Sequence, residues 1–361
     1  MISFLIFIFL VSILIIVHEL GHFFMAKKSG VRIEKFSLGF GPIIFSKKIK
    51  DTQYSVSLIP FGGYVKLAGD NLLEYKGRPD EYLSKSCGVR ARIVLMGPLL
   101  NYLMAFFCFW LIFYLGYPML TTKIEEVLPD YGAKEAGILP QDKIIAVEGK
   151  SVQFWDELQK EVYPKKEGQI LELKVLRQDE VYTFKVKVKE KEITDIWGNK
   201  KRIGLIGIRP AGEIVPLRHT LISSIIKGSK KVIDLTLITY ATLFRILLRK
   251  ISLKESVTGP LGMFYLTKEA ARLGWVALLH LMAILNISLA VFNLLPIPVL
   301  DGAHLFLLGI EKIRKKKISY KLEQMITHIG LAFIITLAIF IFYNDLVRFG
   351  VWEKITQFLK R

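Results

Sequence analysis

Four long runs of apolar residues constrain this chain more than any other feature of its sequence. They cover 1–17, about 96–117, about 275–295 and about 326–343, and a helix of about 20 such residues crosses the hydrocarbon core of a bilayer. The first run is uncharged, and its helix can extend to about Ala26. It lacks the positive start and the small-residue cleavage site of a signal peptide. The sequence therefore predicts a polytopic α-helical membrane protein with four transmembrane helices.

The distribution of charge predicts how these helices are oriented. The chain has 50 Lys and Arg residues against 32 Asp and Glu, a formal net charge of +18. The loop 27–92 carries 13 basic and 6 acidic residues, and positions 311–317 read EKIRKKK. The positive-inside rule places both segments in the cytoplasm, so both termini and residues 118–274 are predicted outside. No basic-aromatic tract typical of a nucleic-acid module occurs, and no nucleic-acid partner is expected.

The outer segment is predicted to have two parts. Residues 122–210 read as a soluble mixed domain, because apolar residues alternate over 171–175 and 184–188 around a helical stretch near 154–162. Residues 217–250 are apolar but carry several charged side chains, which suits helices that lie on the membrane surface. A fifth span there is the alternative, and it would overturn the predicted orientation.

The inner end of the first span carries a pattern typical of metal chemistry. His18 and His22 are four residues apart, share a helix face and can reach one metal ion. Glu19 is placed to act on a metal-bound water rather than as a ligand. Ionisable groups inside a membrane helix cost roughly 2–3 kcal/mol each unless they have a partner. These residues therefore predict a metal site rather than a chance cluster at the interface.

A catalytic zinc site needs a third protein ligand and an open position. The third span ends in NLLPIPVLDG at 293–302, where Pro296 and Pro298 cannot continue a helix and the chain is predicted to unwind. Irregular backbone at membrane depth is tolerated only where it is buried in protein or lines a cavity. Asp301, directly after this break, is therefore a candidate ligand. His304 is the alternative, and spacing alone leaves both open.

The inner loop after the first span offers a surface that could hold an extended substrate. Residues 36–41 and 54–59 alternate like short strands, and 60–67 combines turn residues with a further strand signal. A sheet edge here could pair with an unwound substrate by strand addition. A structural hairpin without a substrate role explains the same residues equally well.

Together these elements resemble the site-2 protease family of intramembrane metalloproteases, in its regulator of sigma-E protease branch with a single PDZ domain. The resemblance covers nearly the whole chain, and HExxH followed by LDG on two spans is highly specific. The matching segments are HELGH at 18–22, PFGGYVKL at 60–67, GPLLN at 97–101, NLLPIPVLDG at 293–302 and a PDZ-like stretch at 127–145. Two positions depart from the family pattern: Ser288 stands where relatives often carry Asn, and Ala303 where they carry Gly.

The resemblance implies one Zn²⁺ per chain, with His18, His22 and Asp301 as ligands and Glu19 as general base and acid. It implies substrate contacts from a wider set, in which Gly97 and Asn101 make either substrate or structural contacts: Asn293, Gly97, Asn101, Pro60, Phe61, Gly62, Gly63 and Tyr64. It also implies an endopeptidase that cleaves single-span membrane proteins, such as anti-sigma factors or remnant signal peptides, near the cytoplasmic face of the bacterial inner membrane. The PDZ-like domain would lie outside and filter substrates.

The predicted domain order combines these interpretations. It comprises transmembrane helix 1 with HExxH (1–26), a cytoplasmic-side loop with a membrane re-entrant β-element (27–92), transmembrane helix 2 (93–118), the PDZ-like domain (119–210), amphipathic interfacial helices (211–274), transmembrane helix 3 with LDG (275–310), a basic cytoplasmic link (311–325), and transmembrane helix 4 with a C-terminal tail (326–361). Two other functions use the same residues: a catalytically silent scaffold and a zinc transporter or sensor. A transport site has no need of Glu19 beside the first histidine.

Overall fold

The computed structural model describes residues 2–194, 200–316 and 319–350, which belong to two compact units. One unit comprises Met1–Ile112 and Ile225–Arg361, and the other Phe113–Ser224. The helices are α1 (Ile2–Lys28), α2 (Cys87–Leu115), α3 (Gly132–Glu135), α4 (Trp155–Val162), α5 (Leu221–Leu247), α6 (Leu253–Ser256), α7 (Pro260–Leu273), α8 (Trp275–Asn293), α9 (Asp301–Arg314) and α10 (Tyr320–Arg348), with a 3₁₀ turn at Tyr82–Ser84. The strands are β1 (Ile33–Ile49), β2 (Thr52–Leu67), β3 (Tyr117–Leu120), β4 (Ile124–Val127), β5 (Lys143–Val147), β6 (Lys150–Ser151), β7 (Ile170–Arg177), β8 (Glu180–Lys187), β9 (Lys189–Thr194), β10 (Lys200–Leu205), β11 (Ile208–Pro210) and β12 (Ile214–Leu217).

Four helices of the described chain are long and apolar enough to cross a membrane, as the apolar runs predicted. They are Ile2–Lys28, Cys87–Leu115, Trp275–Asn293 and Gln324–Arg348. Large apolar side chains on them are exposed, for example Phe9 on α1 and Ile339 on α10, which suits contact with lipid rather than water. The predicted tail after position 350, and residues 317–318 of the basic link, lie outside the described residues.

The region predicted to form interfacial helices, 211–274, contains a single long helix as its largest element. α5 has 27 residues, about 40 Å at 1.5 Å per residue. It packs against α2 at Gly228, where an added Cβ would lie 3.0 Å from the backbone nitrogen of Trp110. Further along, Tyr102 of α2 is within hydrogen-bonding reach of Thr236. The placement of α5 at the membrane surface stays a prediction.

The inner loop forms two long strands where the alternation predicted short ones. β1 has 17 residues and β2 has 16, and they pair antiparallel. The first half of β1 has Cα partners in two separate parts of β2: Ser37 lies opposite both Tyr64 and Ser55. The second half of β1 pairs with the beginning of β2. Among the described residues, 63–67 therefore have strand partners on one side only and form an edge.

The second unit is built around a four-stranded sheet in the order β6-β5-β7-β8. Leu171, Leu173 and Val175 alternate along β7 and are fully buried in a core shared with Leu158 of α4 and Val186 of β8. The alternation predicted these strands and this helix. The unit also extends beyond the predicted 119–210 at both ends, because β3 pairs with β12.

A fully buried carboxylate connects α10 to the start of α7. Asp345 accepts hydrogen bonds from the backbone N–H groups of Gly259 (3.1 Å) and Gly262 (3.0 Å). Pro260 is the first residue of α7, and the first N–H groups of a helix have no partner within the helix. Asp345 therefore caps α7 from a distant part of the sequence.

Replacing Asp345 with alanine should destabilise this unit markedly. Two buried N–H groups would lose their acceptor, and each such loss costs about 1–3 kcal/mol. Loss of helical circular dichroism during titration with a denaturing detergent would measure the effect. Asp345→Asn keeps one acceptor oxygen and should give an intermediate midpoint. An alanine variant as stable as the wild type would contradict the capping role.

Candidate active site

The HELGH segment places two imidazoles together on one face of α1. His18 and His22 are one helical turn apart, with ring centroids 4.8 Å apart and edge-to-face ring planes. Their Nε2 atoms lie 3.2 Å from each other, and His18 is buried. The two histidines therefore share a helix face, as predicted, and their Nε2 atoms point to the same place.

Asp301 brings a third donor to the same point. Its Oδ2 lies 3.1 Å from Nε2 of His18 and 3.5 Å from Nε2 of His22. Asp301 is the first residue of α9, and α8 ends at Asn293, so the proline-containing segment breaks the helix as predicted. Within that segment Val299 has φ of 80°, a conformation that β-branched residues rarely adopt and that commonly marks a functional turn.

Close packing holds the break in place. A side chain at Gly302 would overlap the backbone of Leu294 and Leu295, and one at Gly330 of α10 would overlap Pro298. Only glycine allows the two backbone segments to approach this closely. The glycine of the LDG element therefore permits the chain to fold back and present Asp301 to the histidines.

Nε2 of His18, Nε2 of His22 and Oδ2 of Asp301 form a triangle of donor atoms, called the donor triangle below, and its size fits a zinc ion. Ligand atoms about 2.0–2.1 Å from a tetrahedral zinc lie about 3.3 Å from one another, and the three sides here are 3.1, 3.2 and 3.5 Å. Oδ2 of Asp301 is buried, and among the described residues no donor meets it with the distance and angle of a hydrogen bond. Converging electron-pair donors repel one another unless a cation lies between them. Two histidines and one carboxylate are also a set that catalytic zinc sites use.

The other histidines lie apart from this triangle. Within the described ranges, His18, His22 and Asp301 are the one group of three or more side chains that could hold a metal. His304, the alternative third ligand, is one turn further along α9 and lines an adjoining cavity. His280 packs edge-to-face on Phe109, a contact typical of a histidine with a structural role.

One face of α2 supports both histidines. The backbone carbonyl of Ile93 accepts a hydrogen bond from Nδ1 of His22 at 2.9 Å. Between Ile93 and the fully buried Asn101 lies Gly97, where an added Cβ would be 2.9 Å from Cε1 of His18 and closer still to His22. The family resemblance implies substrate or structural contacts for Gly97 and Asn101. It gives no role to Ile93, because a backbone carbonyl leaves no trace in a residue pattern.

A cleft on the other side of the histidines contains Glu19. The Val65 N–H donates to the Glu19 carboxylate, and Gly63 lies close to the Glu19 side chain. Tyr64 of β2 and Asn293 of α8 line the same cleft. The edge of β2 and the end of α8 therefore face each other beside His18, His22 and Asp301. The side chains of Pro60 and Phe61 lie outside what the structure describes, and Gly62 is in contact with the ring of Phe40.

A second cavity of about 340 Å³ adjoins the site on the side of α9, sharing His22 and Asp301 with it. The guanidinium of Arg90 donates to Glu311 at 2.6 Å within its wall, and both side chains are largely buried. Sequence reasoning missed this ion pair, since Arg90 read as one more basic residue of a cytoplasmic loop. The pair joins the start of α2 to α9, the helix that begins with Asp301.

The chain is similar to known proteins over most of its length. The model of peptidase family M50 matches residues 6–337. The chain is 27% identical to the regulator of sigma E protease of Haemophilus influenzae, covering 95% of this chain and 98% of that protein. It is 26% identical to the zinc metalloprotease RasP of Oceanobacillus iheyensis, with coverage of 95% and 98%.

Part of the chain is also similar to a solved structure, the PDZ domain of the SdrC-like protein of Listeria innocua. The identity is 26%, and the match covers 26% of this chain and 96% of that domain with a TM-score of 0.21. The family match spans almost the whole sequence and includes every donor of the triangle. The chain therefore belongs to peptidase family M50, which confirms the predicted membership in the site-2 protease family.

Proposed function

We propose that this chain is an intramembrane zinc metalloendopeptidase that cleaves the transmembrane segments of single-span membrane proteins. The observation that carries this proposal is the convergence of three side chains, His18, His22 and Asp301. The two histidines lie on a helix of membrane-spanning length with Glu19 between them, and Asp301 begins α9. Membership in peptidase family M50 and relatives named as zinc metalloproteases support peptide hydrolysis and one Zn²⁺ per chain.

Each residue of the site has a distinct role in this proposal. His18, His22 and Asp301 hold Zn²⁺, which when bound polarises a carbonyl group and lowers the pKa of water towards about 7. Glu19 takes a proton from the attacking water and returns it to the nitrogen of the departing amine. The Val65 N–H, which donates to the Glu19 carboxylate, keeps that carboxylate pointed into the cleft.

The edge of β2 is the proposed substrate platform. A helical substrate hides its carbonyl groups in its own hydrogen bonds, so it has to unwind before the scissile bond becomes accessible. Within the described part of the chain, residues 63–67 have strand partners on one side only, and Gly63 and Tyr64 lie beside the cleft. An unwound substrate segment added to this edge would pass between Tyr64 and Asn293.

The proposed orientation places the site near the cytoplasmic face of a bacterial inner membrane. The basic flanks of the first and third spans support this placement through the positive-inside rule, with both termini and the unit 113–224 outside. That unit would act as a PDZ-like substrate filter. A groove between α4 and β11, lined by Trp155, Leu158 and Ile208, is its proposed contact surface. Anti-sigma factors and remnant signal peptides are the proposed substrates.

Removal of zinc from the purified full-length chain should abolish cleavage of a single-span reporter whose outer domain has been removed. Cleavage should return on addition of stoichiometric Zn²⁺ and not on addition of Mg²⁺, because histidine donors favour zinc and magnesium prefers oxygen ligands. Gel analysis of the reporter together with metal analysis of the protein would measure both quantities. Cleavage that continues after the zinc content has fallen far below one per chain would overturn the proposal.

A further inference from the structure

The face of α2 next to the histidines has three positions spaced four residues apart. Ile93, Gly97 and Asn101 follow one another at single helical turns and therefore lie on one side of the helix. Ile93 offers a carbonyl group to His22, Gly97 leaves room for both rings, and Asn101 reaches His18. Each imidazole thus meets one polar group of α2 at Nδ1, the nitrogen that faces away from the donor triangle.

The contact at His22 determines its tautomer. A carbonyl oxygen can only accept, so Nδ1 of His22 carries the proton and donates to Ile93. The Nε2 atom is then left with a lone pair directed at the triangle. Metal-binding histidines usually have their second ring nitrogen held in this way by an oxygen acceptor.

His18 needs the same arrangement to contribute a lone pair, and Asn101 is the group in contact with its Nδ1. The amide Nδ2 of Asn101 lies 3.3 Å from this nitrogen, while its buried Oδ1 has no hydrogen-bond partner among the residues that the structure describes. A proton donated by Asn101 would force the imidazole proton onto Nε2, where it would point at the other two donors. Rotation of the planar amide by 180° exchanges its oxygen and nitrogen with little change in shape.

We propose that Asn101 is a positioning residue whose Oδ1 accepts the Nδ1–H of His18 and thereby holds the His18 lone pair towards the metal. The inference rests on the proposed zinc site and assigns Asn101 a role other than the substrate contact implied by the family resemblance. The burial of Asn101 supports the positioning role over a substrate contact, since the residue is 0% exposed. In this orientation the carbonyl oxygen of Asn101 gains the Nδ1–H of His18 as its partner.

Two substitutions of Asn101 test whether it acts by accepting a hydrogen bond from His18 or in another way. Asn101→Leu removes the acceptor with little change in volume, and loss of such a partner weakens metal binding by about 10- to 100-fold. Asn101→Asp keeps an oxygen that can accept and, when ionised, cannot donate, so it should hold zinc about as tightly as the wild type. Competition with a chelating dye on the purified full-length chain in detergent would measure zinc affinity, and the absorption band of bound Co²⁺ would report the donor geometry.

Asn286 supplies the matched control. It is also a fully buried asparagine of the same unit, but its Nδ2 donates to the carbonyl of Met282 within its own helix. Asn286→Leu should leave zinc affinity unchanged. Equal zinc affinity in Asn101→Leu and the wild type would overturn the inference, as would a folded Asp variant that binds zinc as weakly as the Leu variant.

If the Leu variant fails to fold, Asn101→Ala removes the acceptor with a smaller side chain and takes its place: weaker zinc binding than in the Asp variant supports the acceptor role, and equal zinc binding contradicts it. Failure of the proposed function would look different. In that case the wild-type chain itself would bind no stoichiometric zinc, or would bind it without cleaving any reporter.

Discussion

Glu19→Gln should abolish cleavage of a single-span reporter while the protein still holds about one zinc per chain. Glutamine has nearly the same shape as glutamate, but it can neither take a proton from water nor return one to the leaving amine. General acid–base catalysis contributes about 10²- to 10⁴-fold to a hydrolysis rate, so the residual activity should be at or below the detection limit. Single-turnover cleavage and metal analysis on the same preparations would measure both properties.

Glu269→Gln is the control for this prediction, because Glu269 is an exposed residue of α7 and has no part in the proposed mechanism. It should cleave like the wild type. Substantial turnover by Glu19→Gln would contradict the assignment of Glu19 as proton carrier. Simultaneous loss of zinc would mean that Glu19 maintains the metal site instead. If wild type and variant both hold zinc and neither cleaves any of several reporters, the scaffold and transport functions become the better explanations.

Gly97→Ala is expected to weaken zinc binding through a single methyl group. The new Cβ would lie 2.9 Å from Cε1 of His18 and closer still to Nε2 of His22, so both rings would have to shift away from α2. Overpacking of this kind costs about 1–3 kcal/mol, which corresponds to about a 5- to 150-fold loss of affinity at 1.4 kcal/mol per factor of ten. Dye competition on the purified protein would measure the change.

Gly88→Ala provides a control on the same helix. An added Cβ at Gly88 meets no atom of the described residues within 4 Å, and alanine favours helix over glycine. Zinc affinity should therefore stay unchanged, and the stability should be equal or slightly higher. If Gly97→Ala binds zinc as tightly as Gly88→Ala, then α2 does not hold the imidazoles in the way that the structure indicates.

The local parts of the site could be predicted from the sequence because they depend on spacing within one element. Histidines at positions i and i+4 share a helix face in any helix, and Pro296 and Pro298 interrupt a helix wherever they occur. The choice between Asp301 and His304 could not be made from spacing. It depends on the path of the chain through the break, where Val299 has positive φ and Gly302 packs on the preceding backbone.

In the β-element formed by β1 and β2, too, some features could be predicted from local sequence and others could not. Alternation of apolar residues correctly predicted strands in the inner loop, since the side-chain period of two is local. The lengths of the strands, the double pairing of Ser37 and the edge at 63–67 are properties of register, which depends on residues distant in sequence. Likewise, the pairing of β3 with β12 extends the second unit to 113–224, although neither short strand has a strong pattern of its own.

The sequence by itself determined the number of apolar spans, the imidazole pair on the first of them and the break before Asp301. These features follow from composition and from periodicities within single elements. Only the tertiary structure decided which groups of α2 pack against the rings of the histidines and which strand edge lies beside Glu19. The carbonyl of Ile93, the space above Gly97 and the amide of Asn101 act on His18 and His22 through the packing of one helix on another. Such contacts between helices have no local period from which they could be predicted.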